Sequence, residues 1–238
     1  MEIKNQKITV TSEIEEVKQS GFSRRKFLHF SGLMGASVVV VGSMAGLPGC
    51  KKDDKDGSGV NLGSGDFGVL NYAYALEQLE AAFYTQVITS QYSGMTSSER
   101  GYLTDIRDHE IAHREFFKTA LGSNAIPALE VDFSSIDFGN RNSVLSTAKA
   151  FEDLGVSAYN GAGKLLTDVN FLLVAGKIVS VEARHAALIR ELITPNSFAA
   201  NDIVDANALD KARTPAEVLS IAGPFIKTKI NASNLPTS

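Results

Sequence analysis

The chain has 238 residues, with 23 lysines and arginines, 27 aspartates and glutamates, and a formal net charge of −4. This length suits one domain with a leader and a tether. A mildly acidic chain without a basic stripe is a poor candidate for nucleic-acid binding. Because Cys50 is the only cysteine, no disulfide can form within the chain.

The first 49 residues are predicted to be a signal segment rather than part of the fold. The run Ser23-Arg24-Arg25-Lys26-Phe27-Leu28 resembles a twin-arginine export signal. An apolar stretch rich in Gly, Ala and Val follows over residues 30–47, and its small residues favour a signal peptide. A transmembrane anchor is the alternative interpretation of the same stretch.

The end of this stretch, Leu47-Pro48-Gly49-Cys50, resembles a bacterial lipobox. The resemblance implies that Cys50 is lipidated and becomes the mature N-terminus, so that a lipid anchors the protein to a membrane. The charged run 51–56 and the Gly/Ser-rich run 57–65 are typical of a solvated linker, which makes residues 50–65 a predicted flexible tether. We therefore expect an exported lipoprotein, periplasmic or associated with the outer membrane.

Helical periodicity begins after the tether. Apolar and small residues recur at three- and four-residue steps and predict helices over residues 66–90, 97–121, 143–167 and 171–193. Thr96 and Glu99 fit a capping box at the start of the second helix, and Gly122 is a plausible stop at its end. No run of alternating β-branched residues is long enough to predict a sheet, although Val131 and Phe133 suit a brief extended piece.

The connections predict how the helices pair. Short links join the first helix to the second and the third to the fourth, so each pair is expected to form an antiparallel hairpin. The long link over residues 122–142 allows the second hairpin to return along the first. The predicted fold is an all-α four-helix bundle over residues 66–193, with one long crossover connection. A loop and a short closing helix over residues 215–228, behind Thr214 and Pro215, complete the C-terminal region 194–238.

Acidic side chains interrupt the stripes that these helices should bury. A glutamate followed seven residues later by a tyrosine occurs twice, and each pair precedes a Glu-x-x-His pair. A carboxylate inside a bundle is costly unless it is paired or binds a metal, and a spacing of three residues puts Glu and His on one helix face. The pattern predicts four carboxylates and two imidazoles around metal ions. Its members are Glu77/Tyr84, Glu110/His113, Glu152/Tyr159 and Glu182/His185.

This order of motifs resembles the ferritin-like superfamily of carboxylate-bridged di-metal proteins, which includes bacterioferritin, rubrerythrin and manganese catalase. The resemblance implies two iron or manganese ions in a four-helix bundle. Glu77 and Glu152 would be terminal carboxylates, while Glu110 and Glu182 would bridge the ions. His113 and His185 would be terminal nitrogen ligands. By the same resemblance, Tyr84 and Tyr159 would donate hydrogen bonds to the ligands, although both also suit an ordinary core.

Two further residues compete with this assignment. Glu80 lies three residues after Glu77, and we predict a rim or surface charge because only Glu77 has a tyrosine seven residues on. His109 neighbours Glu110 but points about 100° away from it. It is therefore expected at the surface or beside a ligand rather than on a metal.

The expected chemistry follows from the ligand types. Carboxylate and imidazole ligands suit both iron and manganese, and such a centre reacts with dioxygen or hydrogen peroxide. The hypothesis is an exported oxidative protein, acting as a ferroxidase, a peroxidase or a catalase-like enzyme. The alternatives are a metal-binding envelope lipoprotein without turnover and a structural module with the same fold. A homodimer is left open.

Overall fold

The structure, a computed structural model, describes residues 59–237. The predicted signal segment, the lipobox with Cys50 and the first part of the tether lie outside the described residues. Over residues 59–237, every helix is either too short or too polar to cross a membrane.

The described part of the chain is mostly helical. Four long helices are followed by one short helix, and two-residue strands stand before the first helix and near the C-terminus. The helices are α1 (Gly65–Thr89), α2 (Ser97–Leu121), α3 (Arg141–Ala162), α4 (Val169–Ile193) and α5 (Pro215–Ala222). The strands are β1 (Val60–Asn61) and β2 (Ile230–Asn231), and short 3₁₀ turns follow α2, α3 and α5.

Local signals determine where the helices begin and end. At the start of α2, the Thr96 side chain accepts from the Glu99 backbone N–H and the Glu99 side chain accepts from the Thr96 backbone, as the capping box requires. Gly122 ends α2 with a positive φ of 54°, which an L-residue rarely adopts. A second capping box, from Thr214 to Glu217, begins α5 behind Pro215.

The helices pair as two hairpins, α1 with α2 and α3 with α4. This confirms the predicted all-α four-helix bundle with one crossover between α2 and α3. Two buried amides of α1 hold that crossover in place. Asn71 donates to the Asn124 carbonyl and accepts from the Ile126 N–H, while Gln78 accepts from the Leu129 N–H. A β-bridge between Val131 and Ile226 lies further along the crossover.

The C-terminal region packs against the bundle. The backbone of Arg213 crosses α3, where its N–H donates to the Ser157 carbonyl at 2.9 Å. Helix α5 packs on α3 just beyond this crossing. The chain then reaches β2, which pairs with β1 in parallel, Val60 opposite Ile230 and Asn61 opposite Asn231.

Three boundaries differ from the sequence prediction by more than two residues. Helix α3 ends at Ala162 and continues as a 3₁₀ turn, and α5 ends at Ala222, six residues before the predicted end. Part of the predicted tether is folded within the described residues, since β1 covers Val60–Asn61 and Leu62 is fully buried. The strand pairing explains this difference, because its partner lies about 170 residues away and leaves no local periodicity.

Candidate metal centre

The four long helices bring six side chains to one place inside the bundle. Each helix supplies at least one carboxylate, and α2 and α4 each add an imidazole from the adjacent turn. All four carboxylates are fully buried, His185 is buried and His113 is partly exposed. The six residues are Glu77, Glu110, His113, Glu152, Glu182 and His185.

The imidazoles reach across the bundle to the opposite hairpin. Nδ1 of His113, on α2, lies 2.8 Å from Oε1 of Glu182 on α4. Nδ1 of His185, on α4, lies 2.8 Å from Oε1 of Glu110 on α2. Each histidine is therefore closer to the glutamate of the other Glu-x-x-His pair than to its own, which lies at 3.6 and 3.5 Å.

The ligand atoms form two overlapping groups of four, each with all its donor atoms within 4.8 Å of one another. One group contains Glu77 and His113, and the other contains Glu152 and His185. Glu110 and Glu182 belong to both groups. Each group could hold a cation, and Glu110 and Glu182 would then be common to both.

Most of the polar side-chain atoms in this cluster lack hydrogen-bond partners. Eight buried side-chain atoms of the six residues have none, including both oxygens of Glu110 and of Glu182 and Nδ1 of each histidine. Nδ1 of each imidazole lies 2.8 Å from a carboxylate oxygen, which makes an ion pair when the ring is protonated. Buried polar atoms left in this state are costly, and a bound cation would satisfy them together.

Two buried tyrosines complete the cluster, each from the helix opposite its glutamate. Tyr84 of α1 donates to Oε1 of Glu152 on α3 at 2.5 Å. Tyr159 of α3 donates in turn to Oε1 of Glu77 on α1. Glu77 and Glu152 thus each have one oxygen that accepts from a tyrosine and one oxygen without a hydrogen-bond partner. This supports the predicted hydrogen-bonding role over that of ordinary core residues.

The pKa values of the carboxyl groups in the cluster differ, because burial raises them while nearby histidines lower the pKa of Glu110. Burial raises the pKa of Glu77 well above its ordinary value, and a neighbouring carboxylate adds to the effect. Burial also raises the pKa of Glu152, to about 8. It acts on Glu110 in the same direction, but the nearby His113 and His185 outweigh it and lower the pKa of Glu110 to about 2.

The pKa values of both histidines are raised. Burial alone would lower the pKa of His113 and His185, yet the surrounding glutamates raise it to about 12 for both. Without a cation, the cluster therefore balances its negative charge with protons. A cation entering the cluster has to displace them.

Glu80 is buried, so the prediction of a rim or surface charge is wrong. Its side chain points to α3, where a Cβ built on Gly155 would lie 3.2 Å from Oε1 of Glu80. The missing side chain at residue 155 makes room for the carboxyl group. Burial raises the pKa of Glu80 well above its ordinary value, and the Glu110 carboxylate adds to this. Glu80 belongs to neither group of ligand atoms.

His109 lies at the surface beside His185, which is one of the six residues of the cluster. Its side chain is exposed, and its Nδ1 lies 2.9 Å from Nε2 of His185. The two ring planes are nearly parallel, at 9°, and their centroids are 5.1 Å apart, so the rings meet edge to edge at these nitrogens. The sequence offered no signal for this particular contact, since it joins residues of different helices.

Comparison with known families agrees with this geometry. A family model described as "Ferritin-like domain" matches residues 65–195, which is more than half of the chain and includes all four long helices. The chain belongs to the ferritin-like family. A search of curated proteins finds no match. In this ferritin-like protein the buried cluster of carboxylates and imidazoles is a site that can hold metal.

Proposed function

We propose that this protein binds two iron or manganese ions and uses them for oxidative chemistry with dioxygen or hydrogen peroxide. The observation that carries the proposal is the pair of four-residue groups that share Glu110 and Glu182. Two independent metal sites would not share residues, so the shared glutamates favour one centre with two ions. Carboxylates and imidazoles in this ratio suit iron and manganese better than softer metals.

The charge of the cluster matches two divalent ions. Four ionised glutamates carry four negative charges, and two divalent cations neutralise them. In the buried interior, neither the four carboxylates nor the two cations would be stable without the other. The fifth buried carboxyl group, Glu80, is not needed for this balance. Its raised pKa favours the neutral form, which avoids an uncompensated charge next to the centre.

When bound, the two metal ions would supply the redox electrons and a place for a small oxidant to bind. The protein's own residues position and protect them. Glu110 and Glu182 hold the two subsites together, while Tyr84 and Tyr159 fix the orientation of the terminal glutamates. The surrounding core excludes bulk water, which strengthens every charge interaction inside. Ferroxidase, peroxidase and catalase-like activities are all compatible with this arrangement.

The metal assignment is tested by the variant Glu110→Gln/Glu182→Gln, with elemental analysis of protein loaded anaerobically with iron(II) or with manganese(II). The parent is expected to hold about two ions per chain, and the variant to lose both because each ion loses two ligands. Glu80→Gln is the matched control, since it makes the same change in a buried carboxyl group outside the ligand groups. The control is expected to keep its metal. Equal metal content in parent and double variant contradicts the assignment.

The oxidative part is tested separately, by consumption of dioxygen and of peroxide by the loaded protein. Turnover that disappears in the double variant supports an enzyme. Two bound ions with no consumption of either oxidant would instead favour the metal-binding lipoprotein without turnover. The readouts differ, so a failure of activity is not mistaken for a failure of metal binding.

We also propose that the protein is exported and anchored by a lipid on Cys50. The twin-arginine-like run, the apolar stretch and the lipobox-like sequence support this location. Export of a folded, metal-loaded protein suits this centre, whose ligands come together only in the folded bundle. Cys50→Ala is expected to move the protein from the membrane to the soluble fraction. Retention in the membrane would support the uncleaved transmembrane anchor.

A further inference from the structure

His113 and His185 differ in what surrounds Nε2, the ring nitrogen that faces away from the carboxylates. Nε2 of His185 lies 2.9 Å from Nδ1 of His109, and the two ring planes differ by only 9°, so the nitrogens face each other edge to edge. The outer nitrogen of His113 makes no hydrogen bond to any side chain within residues 59–237. The His113 side chain is also more exposed, 13% against 5% for His185. The two halves of the centre are otherwise alike, with matching glutamates, tyrosines and ring-to-carboxylate distances.

The direction of the hydrogen bond follows from the position of the ring. Nδ1 of His185 faces the carboxylates and is the nitrogen available to a cation. A metal-bound nitrogen carries no proton, so the proton of the neutral ring is on Nε2. This N–H then donates to Nδ1 of His109, whose own ring proton is on the side facing away from His185. The bond fixes both the tautomer and the orientation of His185.

Such outer partners change how strongly a histidine binds a metal. A partner that accepts from the far N–H makes the imidazole more basic and holds it in the binding orientation, and its loss typically costs 10- to 100-fold in metal affinity. His109 immediately precedes Glu110 on α2, while His185 is on α4. The contact therefore ties together the two helices that supply the shared glutamates. Because the His109 side chain is exposed, hydrophobic packing does not explain why a histidine stands at this position.

We propose that His109 is a positioning residue that makes the subsite of Glu152 and His185 bind its cation more tightly than the subsite of Glu77 and His113. The proposal rests on the proposed two-ion centre and adds an order of filling to it. The first ion enters the supported subsite, and the second enters the one whose histidine has no such partner. Neither the metal-ligand pattern nor the family match distinguishes the two subsites.

The test uses Zn²⁺, which binds carboxylates and imidazoles but has no redox chemistry, in calorimetric titrations with a competing chelator. The parent is expected to show a tighter and a weaker step. His109→Ala is expected to weaken the tighter step by 10- to 100-fold and to change the weaker step by less than about threefold. His109→Asn places an oxygen where Nδ1 was, so it can still accept from His185 and should recover most of the affinity.

Variants that already lack one of the two histidines of the cluster show which subsite His109 affects. In a His113→Ala background, His109→Ala is expected to weaken the remaining Zn²⁺ binding by the same factor. In a His185→Ala background, His109→Ala should have no effect, because the partner of the hydrogen bond is gone. A merely structural role would weaken binding equally in both backgrounds. Urea unfolding of the metal-free variants reports any loss of stability separately.

The outcomes distinguish this inference from the function on which it rests. If the parent binds no Zn²⁺, the two-ion centre itself is wrong. If the parent binds two ions and His109→Ala changes neither step, or changes both alike, the positioning role is wrong while the centre stands. The role is also overturned if His109→Asn binds as weakly as His109→Ala.

Discussion

Gly161 is predicted to be essential for the packing of the C-terminal segment on α3. A Cβ added at this residue would lie 1.8 Å from the carbonyl oxygen of Arg213, whereas ordinary contacts begin near 3.4 Å. The obstacle is backbone on both sides, so no side-chain rotation can relieve it. The crossing segment would have to move by about 1.5 Å, which a close-packed interface does not absorb without losing contacts.

The size of the effect follows from the hydrogen bonds at this crossing. The Arg213 N–H donates to the Ser157 carbonyl at 2.9 Å, its guanidinium donates to the Ser157 hydroxyl, and Asn160 donates to the Lys211 carbonyl at 3.0 Å. At about 1 kcal/mol each, their loss costs roughly 3 kcal/mol. Alanine returns about 1 kcal/mol of helix propensity. Gly161→Ala should therefore lower the free energy of unfolding by about 2 kcal/mol.

Gly176→Ala is the matched control, because it makes the same substitution within another long helix. Nothing lies within 4 Å of a Cβ at Gly176, which is exposed on α4. This variant should gain up to about 1 kcal/mol, so the two variants should differ by about 3 kcal/mol. Urea unfolding of the metal-free proteins, followed by far-ultraviolet circular dichroism, measures both. Equal stability of Gly161→Ala and the parent would refute the reasoning.

Three further predictions concern the centre itself. Glu80→Gln should stabilise the metal-free protein at pH 7 by about 1–3 kcal/mol, because Glu80 has to take up a proton when it is buried, whereas the amide is neutral in both states. The raised pKa of Glu80 means that its contribution to stability is fully present below about pH 4.5 and is lost as the pH rises. The gain in stability should therefore vanish in acid. Urea unfolding at several pH values measures it, and a gain that persists below about pH 4.5 would contradict this reasoning. Binding of Zn²⁺ at pH 7 should release protons from His113 and His185, about two per chain from these residues alone, since both have a pKa of about 12 without metal. Calorimetry in buffers of different ionisation enthalpy counts them, and binding without proton release would contradict the charge pattern. Tyr159→Phe should weaken metal binding about tenfold by removing the donor to its glutamate, while Tyr102→Phe, at an exposed tyrosine of α2, should leave the affinity unchanged.

The sequence alone predicted the four helices, their pairing and the six residues that meet inside the bundle. Helical periodicity, caps and the Glu-x-x-His spacing act over one or two turns, so they are visible in a short stretch of sequence. The i, i+3 spacing already places Glu110 and His113 on one face. The length of the connections then decides which helices are neighbours.

Only the tertiary structure decided which residues of different helices contact one another. Glu80 is buried because residue 155, on another helix, is a glycine, and no pattern around Glu80 indicates this. The same holds for His109, whose role depends on a ring of α4 that lies 2.9 Å away. The rotation of each helix about its axis and the height at which it crosses its neighbours set these contacts. Packing of the whole core determines both, and no local stretch of sequence encodes either.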